Sequence, residues 1–219
     1  MRIGVIGTGN MGAAFARRLD AAGHDVAIAC RHREHGEHVA ASVAGRVKAA
    51  DLGALAAQSD LLIAATPYEQ QVEAIRASGA TNGTVVVDIS NPLRADYSGL
   101  TIGFSTSAGE EIARALPGIK VVKAFNTLFA ALLSGGTARQ GEGKIQVFYA
   151  GDDAAAKETV RGLIDSMKFE AFDTGPLANA RYLEPLCMFG IYLAYGVGMG
   201  TSISPVWKRF AVQPEATHL

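Results

Sequence analysis

The stretch GVIGTGNMGAAFARRLDAAGHDVAIACRHRE, residues 4–34, decides the fold. It begins inside a short apolar run, residues 2–6, which leads directly into the glycine pattern G-x-G-x-x-G at Gly7, Gly9 and Gly12. A helical apolar pattern follows, and a second apolar run occupies residues 25–30. This order predicts the first strand–helix–strand unit of a dinucleotide-binding domain, with the phosphates of the ligand at the start of the helix.

Apolar runs alternate with helical patterns along most of the chain. Runs such as LLIAAT and TVVVDI are apolar on both faces, which is typical of parallel strands covered by helices on each side. Further strands are predicted at residues 60–65, 84–89, 120–125, 144–150 and 170–173, with a weaker one at 46–49; helices are predicted at 11–22, 34–44, 52–58, 69–78, 108–116, 154–167 and from 177 to about 195. The pattern predicts an α/β fold, a Rossmann-type doubly wound and mostly parallel sheet over residues 1–175, followed by a small C-terminal helical extension over residues 176–219.

Composition and charge limit the classes of partner. The 219 residues carry a net charge of −1, which gives no reason to expect nucleic acid or an acidic membrane surface. Cys30 and Cys187 form no C-x-x-C pair and no signal peptide is recognised, so we expect reduced thiols in a cytoplasmic protein. Residues 185–207 carry no charge, but their glycines and hydroxyl groups predict a buried helix ending in a glycine-rich loop rather than a membrane span.

The three glycines of the first loop have different purposes. Gly7 permits the tight turn, Gly9 lets the backbone approach a pyrophosphate, and Gly12 lets the helix and the strand pack closely. The N-terminus of the following helix supplies free N–H groups and a partial positive charge for the phosphates.

The second strand ends in Cys30-Arg31-His32-Arg33, where an NAD-binding domain has a carboxylate. A carboxylate there would accept hydrogen bonds from the ribose diol of NAD and would repel a 2′-phosphate. Arg31 and Arg33 could bracket that phosphate, with His32 and the Cys30 thiol beside them, because guanidinium groups are planar, permanently charged and bidentate. The sequence therefore favours NADP over NAD, and the alternative is a solvated basic turn at the start of a helix.

Three more strand ends are expected at the ligand edge of the sheet. They contain small, polar or proline residues, which could shape a floor for a nicotinamide ring. The prolines could instead simply end strands, and Asn126 could cap the next segment. The candidate residues are Thr66 and Pro67, Asn91 in the tripeptide Ser90–Pro92, and Ala124, Phe125 and Asn126.

Several longer motifs resemble one family. VVKAFNT at residues 121–127, the GTGNMG loop, SNP at 90–92, the GDD…AKETV…LID stretch and DTGPLANARYLEPL are similar to the NADP oxidoreductases that depend on coenzyme F-420 (hereafter F420), a deazaflavin. The reductase domain of the STEAP metalloreductases is similar too. The resemblance extends from residue 1 to about residue 186, and it is carried more specifically by the KAFNT and LANARYLEP motifs than by the glycine loop.

The resemblance implies a homodimeric, NADPH-dependent oxidoreductase that transfers a hydride between NADP(H) and F420 or a flavin. With a flavin as the acceptor it would be a flavin reductase. The C-terminal extension would complete the acceptor site. Cys30 and His32 depart from the Ser-Arg-Arg pocket that the family uses for the adenosine phosphate, and Arg33 could compensate. The matching positions are Thr8, Asn10 and Met11 along the pyrophosphate and nicotinamide, Cys30, Arg31 and His32 at the adenosine phosphate, and Thr66, Pro67, Ala124, Phe125 and Asn126 beside the nicotinamide.

Hydride transfer between two coenzymes is mainly a matter of positioning, so we predict no catalytic side chain and no metal site. The sequence contains no Ser-Tyr-x-x-x-Lys arrangement and no H-E-x-x-H motif, and the histidines from His32 to His38 are interpreted as a solvated helix face. Two alternatives stay open. One is an NADPH-dependent reductase of a small imine or carbonyl, and the other is a non-catalytic NADP-binding sensor protein.

Overall fold

The secondary structure follows the predicted alternation of strands and helices. A computed structural model describes residues 1–43, 45–135 and 144–210. The strands are β1 (Arg2–Ile6), β2 (Asp25–Ala29), β3 (Lys48–Ala49), β4 (Leu61–Ala64), β5 (Val85–Asp88), β6 (Lys120–Ala124), β7 (Gln146–Gly151) and β8 (Glu170–Asp173). The α-helices are α1 (Asn10–Ala21), α2 (Arg33–Ser42), α3 (Tyr68–Ala77), α4 (Ala108–Ala115), α5 (Ala130–Ser134), α6 (Ala154–Ser166) and α7 (Ala180–Ile191).

The strands form one eight-stranded sheet in the order β3-β2-β1-β4-β5-β6-β7-β8. Every neighbouring pair is parallel except β6 and β7, which run antiparallel with Val122 opposite Gly151. The predicted Rossmann-type, mostly parallel sheet is therefore confirmed. The strand order reverses between β1 and β4, and a crevice for a ligand opens at such a reversal, beyond the carboxyl ends of the strands.

Apolar side chains fill both faces of the sheet. Every residue of β4 is buried, which explains its continuous apolar run. On one face, Val5 and Ile63 pack with Phe15 of α1; on the other, Leu62 packs with Ile75 of α3. The two covered faces hold the carboxyl ends of β1, β2 and β4 in fixed positions at one edge.

One predicted helix differs from the observed elements, and one observed helix was not predicted. The segment predicted as a helix at residues 52–58 forms two 3-10 turns, Leu52–Ala54 and Ala56–Gln58. Asp51 accepts a hydrogen bond from the Gly53 N–H at 2.9 Å, and this local turn, together with the low helix propensity of glycine, competes with a continuous helix. The short helix α5 was not predicted, because five residues are too few to show a helical period.

The C-terminal segment is not the buried helix that the sequence suggested. Helix α7 ends at Ile191, a π-helical turn covers Tyr192–Gly196, and the chain continues without regular structure to residue 210. Only one side of α7 is buried, and large apolar side chains on the other side and beyond it are exposed: Tyr182, Phe189, Tyr192, Tyr195, Val197, Met199, Val206, Trp207 and Phe210. Absence of charge did not distinguish a buried segment from an exposed apolar surface. Residues 211–219 of the predicted extension lie outside the described residues.

None of the helices in the described ranges is both long enough and apolar enough to cross a membrane.

Candidate dinucleotide-binding site

A cleft of about 470 Å³ opens at the carboxyl ends of β1, β2 and β4. Its walls come from the loop after β1, from the end of β2 with the start of α2, and from the β4–α3 connection with α3. The residues that line it are Ile6, Gly7, Thr8, Gly9, Cys30, Arg31, His32, His35, Leu52, Ala65, Thr66, Pro67, Gln70, Glu73, Ala74 and Ala77. Eight of the predicted binding residues are therefore brought together in one cavity.

The three loop glycines lie in different surroundings. Gly7 has a φ of 110°, and a Cβ there would lie 2.5 Å from the carbonyl oxygen of Ala65. A Cβ at Gly12 would clash with the carbonyl oxygen of Gly7, where α1 packs on the loop. By contrast, apart from Gly9 itself and its two neighbours in the chain, no heavy atom of the described residues lies within 4 Å of the position of a Cβ at Gly9. The protein itself therefore explains Gly7 and Gly12, whereas the space at Gly9 is open to a ligand.

Helix α1 presents uncapped N–H groups beside this loop. Gly9 is its N-cap residue, and within the described ranges no side chain caps the helix and no acidic residue occupies its first turn. Asn10 is exposed, and Met11 is partly buried against the core. A helix terminus with free N–H groups carries partial positive charge and suits a phosphate.

Some residues of the basic turn after β2 line the cleft, and others lie on the surface away from it. Cys30, Arg31 and His32 line the cleft, and the Cys30 thiol donates a hydrogen bond to the backbone carbonyl of His32 at 3.0 Å. Arg33 is the first residue of α2 and is absent from the lining; its Nε donates to Glu37 Oε1 at 2.9 Å along the exposed side of the helix. The structure thus brings one of the two predicted arginines to the cleft.

Three polar residues of the cleft were not among the predicted site residues. His35 lies one helical turn after His32, with 5.6 Å between the ring centroids. Gln70 and Glu73 line the opposite wall from α3. His35 had been assigned to a solvated helix face, and its spacing of three residues from His32 was the available signal that the two side chains share a face.

The strand ends on the other side of β4 meet in a separate arrangement. Asn126 donates from Nδ2 to Asn91 Oδ1 at 2.9 Å and to the backbone carbonyl of Leu183 at 2.9 Å. Asn91 Nδ2 donates in return to the backbone carbonyl of Asn126 at 3.0 Å. The pair connects the ends of β5 and β6 to α7, and neither amide lines the cleft over β1, β2 and β4.

Ala124 and Phe125 are core residues. Both are fully buried, and the Phe125 ring packs edge-on against Phe15 with 5.2 Å between centroids. Phe125 also has a φ of 61°, an uncommon conformation for a non-glycine residue, and this turn of the backbone directs Asn126 toward Asn91. Any contact of Ala124 or Phe125 with a cofactor would therefore involve the backbone.

Some buried polar atoms at these strand ends have no partner within the described part of the chain. They are Oγ1 of Thr66, Oδ1 of Asn126 and Oγ1 of Thr127. A buried oxygen without a hydrogen bond is costly, and such an atom next to a ligand site suits a donor from the ligand. The amide and hydroxyl groups of a nicotinamide riboside are of this kind.

A fully buried charged cluster lies beneath the strand ends. Lys123 Nζ on β6 lies 2.9 Å from Asp88 Oδ2 on β5 and 2.8 Å from Glu184 Oε1 on α7, and all three side chains have no exposure. Glu184 also accepts hydrogen bonds from the Ala108 and Gly109 N–H groups at 3.0 and 3.3 Å, at the start of α4. No local sequence pattern indicates this cluster, because its members are far apart in the chain.

Burial and the charges of the cluster shift the titration of nearby groups. Burial would lower the pKa of Lys123, but the carboxylates of Asp88 and Glu184 outweigh it and hold its pKa above the ordinary value. Burial also raises the pKa of Cys187 to about 12, with Lys123 opposing the shift and Glu184 adding to it. Lys123 is therefore a cation and Cys187 a neutral thiol at physiological pH.

The chain resembles known proteins over different parts of its length. The family model of the NADP oxidoreductases that are dependent on coenzyme F420 matches residues 2–92. A protein of known structure from Arthrobacter sp. FB24, described as a candidate F420-dependent NADP reductase, is 32% identical, and the match covers 91% of this chain and 96% of that one with a TM-score of 0.81. The chain belongs to the F420-dependent NADP oxidoreductase family. It is thus a member of a family of NADP-dependent oxidoreductases.

More distant relatives have lower sequence identity to this member of the F420-dependent NADP oxidoreductase family. The Metalloreductase STEAP3 of Rattus norvegicus is 27% identical over 185 residues, which are 84% of this chain but 36% of STEAP3. The chain spans about a third of the curated relatives it matches. A reductive aminase from Aspergillus terreus is 16% identical with a TM-score of 0.64, covering 90% of this chain and 62% of that one, and this likeness shows the fold alone.

Proposed function

We propose that this protein transfers a hydride between NADP(H) and a deazaflavin, F420, or a flavin. The observation that carries the proposal is the cleft over β1, β2 and β4. It combines an open backbone position at Gly9, uncapped N–H groups of α1, and Arg31 where an NAD-binding domain has a carboxylate. Membership of the F420-dependent NADP oxidoreductase family also supports NADP as the cofactor.

The pyrophosphate and adenosine half of the cofactor fits the cleft. The pyrophosphate would lie on the backbone at Gly7, Thr8 and Gly9, against the first N–H groups of α1 at Asn10 and Met11, with Gly12 holding the helix close. The 2′-phosphate would meet Arg31, with His32 and Cys30 beside it. Because Arg33 is paired with Glu37, we assign Arg33 a smaller contribution to binding the 2′-phosphate.

The nicotinamide half would lie over the ends of β4, β5 and β6. Thr66 and Pro67 would support the ring, and the unpartnered Asn126 Oδ1 would accept a hydrogen bond from its carboxamide. Asn91 would hold the Asn126 amide in position through the two hydrogen bonds between them. Ala124 and Phe125 would set the backbone path that leads to Asn126.

NADP supplies the hydride-carrying ring, so the protein has to bind, orient and exclude water rather than donate or accept a proton. The residues named above would perform these tasks, and we assign no catalytic acid or base among them. The Lys123 cluster would act at a distance by fixing α7 on the sheet next to Asn126.

The acceptor would bind against the C-terminal extension, residues 176–219. This extension would be a separate unit that follows the Rossmann domain of residues 1–175. Helix α7 contributes the Leu183 carbonyl to the Asn126 contacts, so the extension would begin at the edge of the proposed nicotinamide site. The exposed aromatic residues of α7 and of the segment after it would form a homodimer interface, since an apolar surface of this kind is unusual on a monomer. The cytoplasmic location stays a prediction.

The proposed reaction is tested by anaerobic turnover of NADPH with a panel of acceptors. The panel contains F420, FMN, FAD and small cyclic imines, and NADH is used in parallel as the hydride donor. We expect rapid oxidation of NADPH with F420 or a flavin, and slow oxidation of NADH. Turnover with the imines alone would contradict the proposal and favour the imine reductase alternative, and binding of NADPH without any turnover would favour a sensor protein.

A further inference from the structure

We propose that His32 and His35 make the preference for NADPH over NADH depend on pH. In the protonated state the two imidazoles would hold the 2′-phosphate together with Arg31, and in the neutral state Arg31 would hold it alone. The inference rests on the proposed function, because it requires that the 2′-phosphate lies against the basic turn after β2.

The two imidazoles lie side by side in the wall of the cleft. Their centroids are 5.6 Å apart with an angle of 57° between the ring planes, and both residues are exposed. His32 is the N-cap residue of α2 but makes no capping hydrogen bond with its side chain, and the His35 backbone N–H donates to the His32 carbonyl at 3.1 Å. The rings are therefore held next to each other by the start of a helix, with solvent access for proton exchange.

The fixed charges around the imidazoles nearly cancel. Among the side chains that line the cleft, Arg31 is the permanent cation and Glu73, on α3, is the carboxylate. On α2 itself, Glu34 Oε1 lies 3.7 Å from His32 Nδ1, and Arg33 is paired with Glu37. The Cys30 thiol donates to the His32 carbonyl.

Protonation of the imidazoles would therefore make the local charge positive. With neutral rings, Arg31 is opposed by Glu73, and with protonated rings the same wall gains two positive charges. Imidazole is the side chain that ordinarily changes charge between pH 5 and 8. A charged donor binds phosphate about twice as strongly as a neutral one, so the affinity for NADPH should fall as the pH rises, whereas NADH lacks the group that responds.

The test is the ratio of the Kd of NADH to the Kd of NADPH, measured by fluorescence titration between about pH 5.5 and 8.5 at constant ionic strength. The variants are His32→Arg, in which the charge is permanent, and the double variant His32→Gln/His35→Gln, in which it is absent. The 2′-phosphate takes up a proton near pH 6 itself, and this contribution is common to all three proteins. Melting temperatures at each pH confirm that each protein is folded.

We expect the wild-type ratio to fall about five- to tenfold between pH 6 and 8, relative to the double variant. The His32→Arg ratio should stay high across the range. Identical pH profiles for the wild type and the double variant would overturn the inference while leaving the NADP proposal intact. A wild type that shows no preference for NADPH even at pH 6 would contradict the proposed cofactor, and with it the inference.

Discussion

Lys123 on β6 and Glu184 on α7 form a fully buried ion pair, with 2.8 Å between Nζ and Oε1. Asp88 on β5 completes the cluster from the other side of Lys123. The pair joins the sheet to the C-terminal extension directly below the Asn91–Asn126 contacts. Because a buried charge is tolerated only when it is paired, this cluster fixes where α7 packs.

Removal of the shared cation should be strongly destabilising. Lys123→Met leaves Asp88 and Glu184 as two buried carboxylates without a positive counter-charge, and we expect a loss of about 3–5 kcal/mol in the free energy of unfolding. The matched control is Arg2→Ala, which breaks the exposed Arg2–Asp60 pair and should cost less than about 1 kcal/mol. Urea titrations measure both, and equal losses would contradict the assigned role of the cluster.

A second contact of α7 should depend on pH in the acid range. Arg181 donates two hydrogen bonds to Glu110 on α4, at 2.8 and 2.6 Å, and these lower the pKa of Glu110 from its ordinary value of 4.5. The stabilisation is therefore fully present above pH 4.5 and disappears as the pH falls through the lowered pKa.

Arg181→Gln should lower the free energy of unfolding only modestly at pH 7, because the ion pair is partly exposed and screened by solvent. The difference from the wild type should shrink below pH 4.5, as followed by urea titrations at several pH values. A difference that stays constant down to pH 3 would show that the contact does not titrate as described.

The glycine loop can be tested without disturbing the fold. Gly9→Val should abolish binding of NADPH, because its side chain would fill the open space at the backbone, while the melting temperature should change little. Gly162→Val is the matched control, since a Cβ at this position meets no described atom within 4 Å beyond its chain neighbours and the backbone of its own helix, α6, and lies outside the cleft. Undiminished affinity of the Gly9 variant in a fluorescence titration would contradict the loop assignment.

The exposed apolar surface of the C-terminal segment predicts self-association. Tyr192, 59% exposed, lies within that surface, and Tyr192→Glu should convert a homodimer to a monomer by placing a charge in the interface. Tyr97→Glu is the control, since Tyr97 is 62% exposed on a loop elsewhere. Light scattering after size exclusion gives the mass of each protein, and a monomeric wild type would refute the dimer.

The sequence alone was sufficient for the parts of the molecule that depend on local patterns. The glycine loop, the alternating apolar runs and the basic turn after β2 predicted the Rossmann-type sheet. They also located one end of the cleft, because the backbone requirements of Gly7 and Gly12 are encoded within six residues. Residues at strand ends could be named as candidates because parallel strands end at a common edge.

Contacts between residues that are far apart in the chain could not be predicted from the sequence. The period of β6 predicts a strand at Lys123, but nothing local indicates that its charge meets Glu184, which lies 61 residues later. Arg33 and Glu37 have the i,i+4 spacing of a helical ion pair. Only the observed helix, however, shows that Arg33 pairs with Glu37 on the surface whereas Arg31 lines the cleft. The exposed side of α7 depends on where Glu184 anchors it.

Arg31 provides the most direct test of the account, through the ratio of the Kd of NADH to the Kd of NADPH. Arg31→Ala should weaken NADPH about ten- to a hundredfold and leave NADH nearly unchanged, because the arginine would meet only the 2′-phosphate. Arg33→Ala is the control and should cause a smaller loss, since its guanidinium is held by Glu37. We expect a wild-type ratio well above one, and a ratio close to one in the Arg31 variant. An equal weakening of both coenzymes, or a wild type that prefers NADH, would contradict the assignment of the 2′-phosphate to Arg31.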